Sequence, residues 1–338
     1  MPTLLRSSAQ AIGKRKLRAT GIVFKLVVSV AVLAYIYYRL AGANKELSLF
    51  EFFRTSMAFS WFGASIIVSS LVLMMINWGI EVVKWKRLLD GETNITWKNA
   101  TKGVLSGVSF GIFSPNRLGE FAGRILALPP DVRLKGTLLS FVNGVAQTMA
   151  TFSFGALGLV YLLATFGAGS IGALATLLTQ LSLIICLGLA LIVYFELGRL
   201  SPKLSKIGFL RKWKDDLGVF ANVPISTLHY LYHLSLLRFV SFIGQYIVLF
   251  WLVLENPKWI EITGAATMML FSSTLLPFLP VPDLLIKEAV AMEYFGLFQF
   301  DALKVSLVVF LVWFINVALP AVLGAAVLFS YRIFKRTR

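Results

Sequence analysis

Three charged side chains, Arg117, Glu120 and Arg124, sit in the run GVLSGVSFGIFSPNRLGEFAGR (103–124), which is otherwise apolar enough for a membrane interior. A charge at that depth costs roughly 2.5–3.5 kcal/mol by insertion scales. These residues are therefore expected to face a polar cavity, a partner or a ligand. If Ser114 caps a helix that Pro115 opens, Arg117, Glu120 and Arg124 follow at i, i+3 and i+7 and share a face. Glu120 can then pair with either arginine, and one carboxylate between two guanidiniums leaves excess positive charge. The start of such a helix adds free amides, and arginine grips phosphate through two parallel hydrogen bonds. The chemistry this predicts is the holding of an anionic, phosphate-bearing group by Asn116, Arg117, Glu120 and Arg124. The competing reading is a salt-bridge network that fixes the segment.

A second constellation lies near the other end of the chain. Asp283 and Lys287 are i, i+4 partners, Glu288 is adjacent, and Pro277, Pro280 and Pro282 interrupt the apolar run before them. Asp283 near a helix start also suits the helix dipole. Arg238, with Gln245, lies in the middle of an apolar run and is expected to point inward, toward Glu120, Glu288 or a ligand phosphate, because a buried arginine needs a counter-ion. Lys287 and Glu288 join Arg238 as candidate headgroup contacts. Asn77, Asn143, Gln147 and Asn316 read as polar glue between helices. Gly103, Gly107 and Gly111, with Gly119 and Gly123, read as smooth faces for close packing.

The elements that must position these residues follow from composition. The chain has 338 residues, 58% hydrophobic, with mean hydropathy +0.80 and only 14% charged residues, against about 25% in a soluble domain. Apolar runs near 20 residues predict an all-α, polytopic membrane protein with six full spans, at about 21–40, 61–80, 136–163, 171–195, 225–254 and 303–333. The stretches 98–128 and 262–298 are broken by proline beside polar residues, at Ser114-Pro115-Asn116 and Pro282-Asp283. They predict two re-entrant hairpins of paired half-helices, with Ser114, Pro115, Gly119, Pro282 and Asp283 as their structural residues. One hairpin enters from each side, as in the inverted repeats of transporters. The whole reads as a basic N-terminus (1–20), a single transmembrane domain (21–334) and a short tail (335–338).

Charge sets the expected orientation. The net charge is +16, and 22 of the 32 Lys and Arg fall in the segments 1–20, 81–102, 129–135, 196–222 and 331–338, against five in the intervening outer loops. That bias predicts both termini in the cytoplasm. The basic segment 196–222 suits anionic headgroups at a membrane surface rather than nucleic acid.

Other signals lack their context. Gly167-Ala168-Gly169-Ser170-Ile171-Gly172 matches GxGxxG, but no strand precedes it. His229 and His233 have no carboxylate in an HExxH arrangement, and Cys186, in an apolar run, reads as a packed residue. No P-loop or nucleophile elbow is present, so ATP-driven pumping by this chain alone is not expected, nor is a cofactor or metal.

Trp85-Lys86-Arg87-Leu88-Leu89, Trp97, Ala100, the run 103–124 and Gln147 together resemble the transmembrane region of lysylphosphatidylglycerol synthases, which also exists as a stand-alone family of flippase-like bacterial membrane proteins. The resemblance covers about 20–335, and its specific part is Pro115, Arg117, Gly119, Glu120 and Arg124. In the second half the chain has Pro280-Val281-Pro282-Asp283 where the family often shows a glycine-rich turn. The resemblance implies a protein of the bacterial inner membrane that moves an anionic lipid, of phospholipid or polyprenyl-phosphate type, between leaflets. It does not imply lysyl transfer, which belongs to a separate soluble domain. A membrane-embedded glycosyl- or aminoacyl-transferase with Glu120 as general base is the first alternative. An assembly subunit that recruits a separate synthase or transferase is the second.

Overall fold

The structure is a computed structural model; it describes residues 30, 34, 37, 38, 61–112, 114, 117–167, 173–204, 214–276 and 282–330. Among these residues every regular element is helical. In chain order they are α1 (Trp61–Leu89), α2 (Trp97–Ile112), α3 (Gly119–Ile125), α4 (Arg133–Leu162), α5 (Ala173–Phe195), α6 (Leu197–Leu204), α7 (Lys214–Ala221), α8 (Ile225–Val253), α9 (Trp259–Thr274), α10 (Asp283–Leu297), α11 (Ala302–Trp313) and α12 (Leu319–Ser330). A π turn, Leu163–Gly167, extends α4, and a second, Phe314–Ala318, joins α11 to α12.

Five helical stretches are long and apolar enough to cross a membrane: Trp61–Leu89, Pro130–Gly167, Leu174–Phe195, Ile225–Val253 and Ala302–Leu328. Each matches an expected span, and the fold is an all-α, multi-pass one. The sixth expected span, 21–40, lies almost wholly outside the described residues, as do the tails 1–20 and 335–338. One boundary is corrected. The expected span 61–80 continues as helix to Leu89, so Glu81 and Lys84, assigned above to a cytoplasmic loop, lie inside α1 and are buried. The basic segment 196–222 holds the short helices α6 and α7.

The two broken stretches fold as helical hairpins. In the first, α2 and α3 pack along each other through glycines. A Cβ at Gly107 would meet Cγ of Arg124 and the carbonyl oxygen of Glu120, each at 2.9 Å, and one at Gly123 would run into the backbone of Ser106 and Gly107. In the second, α9 packs along α10, and Pro282 occupies the N-cap position of α10. Pro277 and Pro280 lie outside the described residues.

The chain contains the same arrangement twice. In each half a 29-residue helix (α1, α8) leads to a hairpin whose first arm has 16 residues and opens on tryptophan (Trp97, Trp259). A long helix follows: α4, or α11 with α12. The contacts repeat as well. The first arm of each hairpin packs on the long helix of the opposite half, α2 on α12 and α9 on α4. Both seams are antiparallel and lined by glycine: Gly324 lies against Leu105 and Ser109, while Gly158 meets Met268 and Gly264 meets Tyr161. The lead helices α1 and α8 cross at the centre, also antiparallel, since Glu81 pairs with Arg238 and Ser70 with Gln245. The lead helices of the two halves therefore run in opposite directions, the arrangement an inverted repeat requires.

Helix α5 stands at the edge. Only 6% of its apolar window is buried, against 61% for Ala302–Leu328. Leu174, Ile184, Ile185, Leu189 and Ile192 are exposed, as expected of side chains meeting lipid tails. Cys186 is exposed on this helix too, which corrects the expectation that it packs inside.

Candidate functional site

A carboxylate that the sequence reading left in a loop is the centre of the charged cluster. Glu81, on α1, is 1% exposed. Its Oε1 accepts from Nη2 of Arg124 at 2.5 Å and from Nδ2 of Asn143 at 2.5 Å. Its Oε2 accepts from Nη1 of Arg238 at 2.6 Å and lies 3.5 Å from Nζ of the wholly buried Lys84. One carboxylate thus joins α1, α3, α4 and α8. Removing charges from water costs several kcal/mol per ion, and the cluster offsets only part of that: Nζ of Lys84, Nη1 of Arg124 and Oδ1 of Asn143 are buried without a hydrogen-bond partner. The rings of Trp85 and Trp78 add to the offset: the guanidinium of Arg124 lies 5.8 Å from the first, and that of Arg238 lies 5.2 Å from the second.

Two expectations about the first hairpin are revised. Helix α3 begins at Gly119 and has seven residues, and the Gly119 amide is already taken by Oγ of Ser114 at 2.6 Å. The N-cap position is held by Leu118 rather than Ser114, whose hydroxyl reaches the helix across a turn. Arg117 lies before the helix with φ of 57°, a left-handed conformation that is costly for a side chain of its size. It therefore does not share a helical face with Glu120 and Arg124. The turn nonetheless brings its Nη2 to 3.5 Å from Oε2 of Glu120, while Oε1 of Glu120 accepts from Arg124 at 2.6 Å. Glu120 does bridge the two arginines, by a different backbone route. Pro115 and Asn116 lie outside the described residues.

Arg238 points inward as expected, but its counter-ion is Glu81 rather than Glu120 or Glu288. Its Nε also donates to Oδ1 of Asn77 at 2.5 Å. From there the polar chain continues: Asn77 donates to Asn316 at 2.9 Å, Asn316 to Gln245 at 2.7 Å, and Gln245 to the carbonyl of Ser70 at 2.9 Å. Asn77 and Asn316 do hold helices together, and Gln245 acts with them. Gln147 leaves its Oε1 buried without a partner. In the second hairpin Lys287 pairs with Asp283 at 2.7 Å, the expected i, i+4 contact. Glu288 turns the other way. It is 5% exposed, its hydrogen-bond partner is Ser306 of α11, and its Oε2 has none.

These elements line a partly open cavity of about 40 Å³ between the two hairpins and the crossing of α1 and α8. Arg117, Arg238 and Lys287 reach it from the first hairpin, from α8 and from the second hairpin. Trp78, Phe242, Tyr246 and Trp313 supply aromatic walls. The buried Nε of Arg117 has no hydrogen-bond partner, so a donor remains unused there. Glu81 could have been found in the sequence: Asn77, Trp78, Glu81, Lys84, Trp85 and Leu88 step at the three- and four-residue intervals of one helix face, and all are buried.

Fold and cluster together define a class: an all-helical, multi-pass membrane protein with a cationic cavity between two broken-helix hairpins. No family model matches the chain, and no curated protein matches it.

Proposed function

We propose that this protein binds the anionic headgroup of a membrane lipid in the cavity between its hairpins and passes that lipid between leaflets. The observation that carries the reading is the convergence of Arg117, Arg238 and Lys287, from three separate elements, on one cavity with aromatic walls. The resemblance of the run 103–124 to the transmembrane region of lysylphosphatidylglycerol synthases supports it, as do the opposed lead helices of the two halves, the arrangement of inverted repeats with alternating access. The charge bias of the loops supports cytoplasmic termini, and the resemblance supports a bacterial inner membrane. Tails would remain in lipid while the headgroup visits the cavity.

The test is the rate at which a labelled anionic lipid changes leaflet in proteoliposomes. Arg117→Ala is expected to slow it about tenfold or more, the loss of one charge-assisted contact worth roughly 1.5–3 kcal/mol. Equal rates would remove Arg117 from the mechanism.

Both oxygens of Glu120 are engaged by arginine, which suits a counter-ion better than a general base. Glu120→Gln is therefore expected to tighten binding of an anionic lipid, since the arginines lose an internal competitor. A transferase that used Glu120 as its base would instead retain lipid and lose turnover; titration of the variant with labelled lipid separates the two.

A further inference from the structure

We infer that the ligand is a lipid phosphomonoester, a headgroup ending in a terminal phosphate, in preference to a phosphodiester lipid. The inference rests on the headgroup-binding reading above and narrows it. Its first support is charge. Four cations, Lys84, Arg117, Arg124 and Arg238, are joined to two carboxylates, Glu81 and Glu120, and a fifth, Lys287, pairs separately with Asp283. Five less three leaves two positive charges in a largely buried network. Glu288 faces Ser306 and is not joined to any of these cations by an ion pair; Tyr246 is the other titratable group on the cavity wall. Uncompensated buried charge is costly. A phosphodiester supplies one negative charge, while a phosphomonoester, with a second pKa of about 6, supplies close to two at neutral pH.

The second support is size. A water needs at least about 10–15 Å³ of such space, so the cavity of about 40 Å³ holds three water-sized groups. That is room for a small polar group, such as the three free oxygens of a terminal phosphate. The third is donor geometry. The cations approach from three elements rather than from one side, and the buried Nε of Arg117 has no hydrogen-bond partner. That surrounds a tripod of oxygens better than the two free oxygens of a diester.

The experiment is competitive retention of lipids by the full-length protein in detergent, read by native mass spectrometry. The probes are dioleoyl phosphatidate, a polyprenyl monophosphate, phosphatidylglycerol as the diester, phosphatidylcholine as the neutral control and glycerol 3-phosphate as the soluble monoester. At pH 8 a monoester lipid is expected to be retained about tenfold over phosphatidylglycerol, an advantage of roughly 1.4 kcal/mol. At pH 5 the monoester carries a single charge and the advantage is expected to fall toward parity, while phosphatidylglycerol serves as the probe whose charge does not change. Whichever of phosphatidate and polyprenyl phosphate is retained more strongly identifies the tail. Lys287→Gln, with one cation fewer, is expected to lower the selectivity; should that variant fail to fold, the pH comparison decides alone. Equal or better retention of phosphatidylglycerol at pH 8, abolished by Arg117→Ala, would overturn the monoester assignment and leave headgroup binding standing. Displacement of bound lipid by equimolar glycerol 3-phosphate would overturn the lipid assignment. Retention of every anionic lipid at the level of phosphatidylcholine would overturn the binding reading itself.

Discussion

Glu81→Ala is expected to cost about 3–5 kcal/mol, the range for removing one partner of a buried ion pair, and to be the most damaging single change in the protein. The carboxylate is the shared acceptor of Arg124, Arg238 and Asn143 and the nearest anion to Lys84. Its removal leaves three cations in a dry interior with Glu120 as the only remaining acid bonded to Arg124. Those charges cannot all be rehydrated without separating α1 from α8. The measurement is thermal unfolding of the purified protein in detergent, with a drop of about 10 °C or more expected. Glu81→Gln keeps an acceptor for one arginine but not the charge, and is expected to fall between alanine and the native residue. A Glu81→Ala protein that melts within a degree or two of the parent would show that the cluster is not anchored there.

Gly123→Val should also produce a large loss, for a reason of space rather than charge. The first hairpin closes with no room for a side chain at this position, and the atoms in the way belong to the backbone of Ser106 and Gly107. A flexible side chain could swing aside; a helix backbone cannot. The arms must part, and Gly107, which lies against both Arg124 and Glu120, parts with them. The cost is expected at or above the top of the roughly 1–3 kcal/mol typical of overpacking. Gly144→Val on α4 is the control, because nothing lies within 4 Å of a Cβ there. Loss of melting temperature in the first variant and not in the second is the expected pattern. Equal losses would trace the effect to helix propensity instead.

The sequence made some of this legible and concealed the rest, in ways that have physical causes. Arg117, Glu120 and Arg124 were conspicuous because hydrocarbon does not tolerate charge, and the structure brings all three together. The hairpins were legible as proline-broken apolar runs too short to cross twice. Glu81 was hidden by the same rule that exposed the others. A window of about 20 residues fits the bilayer thickness, so the first carboxylate after an apolar run is taken as its end. Here the helix continues for 29 residues and takes Glu81 and Lys84 inside. The start of α3 was misplaced because proline suits a first helical turn, yet nothing local reveals that the chain will first take a left-handed step at Arg117. That conformation is imposed by the closing of the hairpin, which is a tertiary event.

The repeat has a bearing on direction. If lipid passes between leaflets as proposed, two similar units of opposite orientation would offer it the same route from above as from below. Such a scaffold supplies no arrow of its own. Any preference for one face must come from the places where the units differ: the Arg117–Glu120–Arg124 bridge belongs to one hairpin, and the Asp283–Lys287 pair to the other. Exchanging residues between those two sets, rather than altering the helices, is where a reversal of vectorial bias would have to begin.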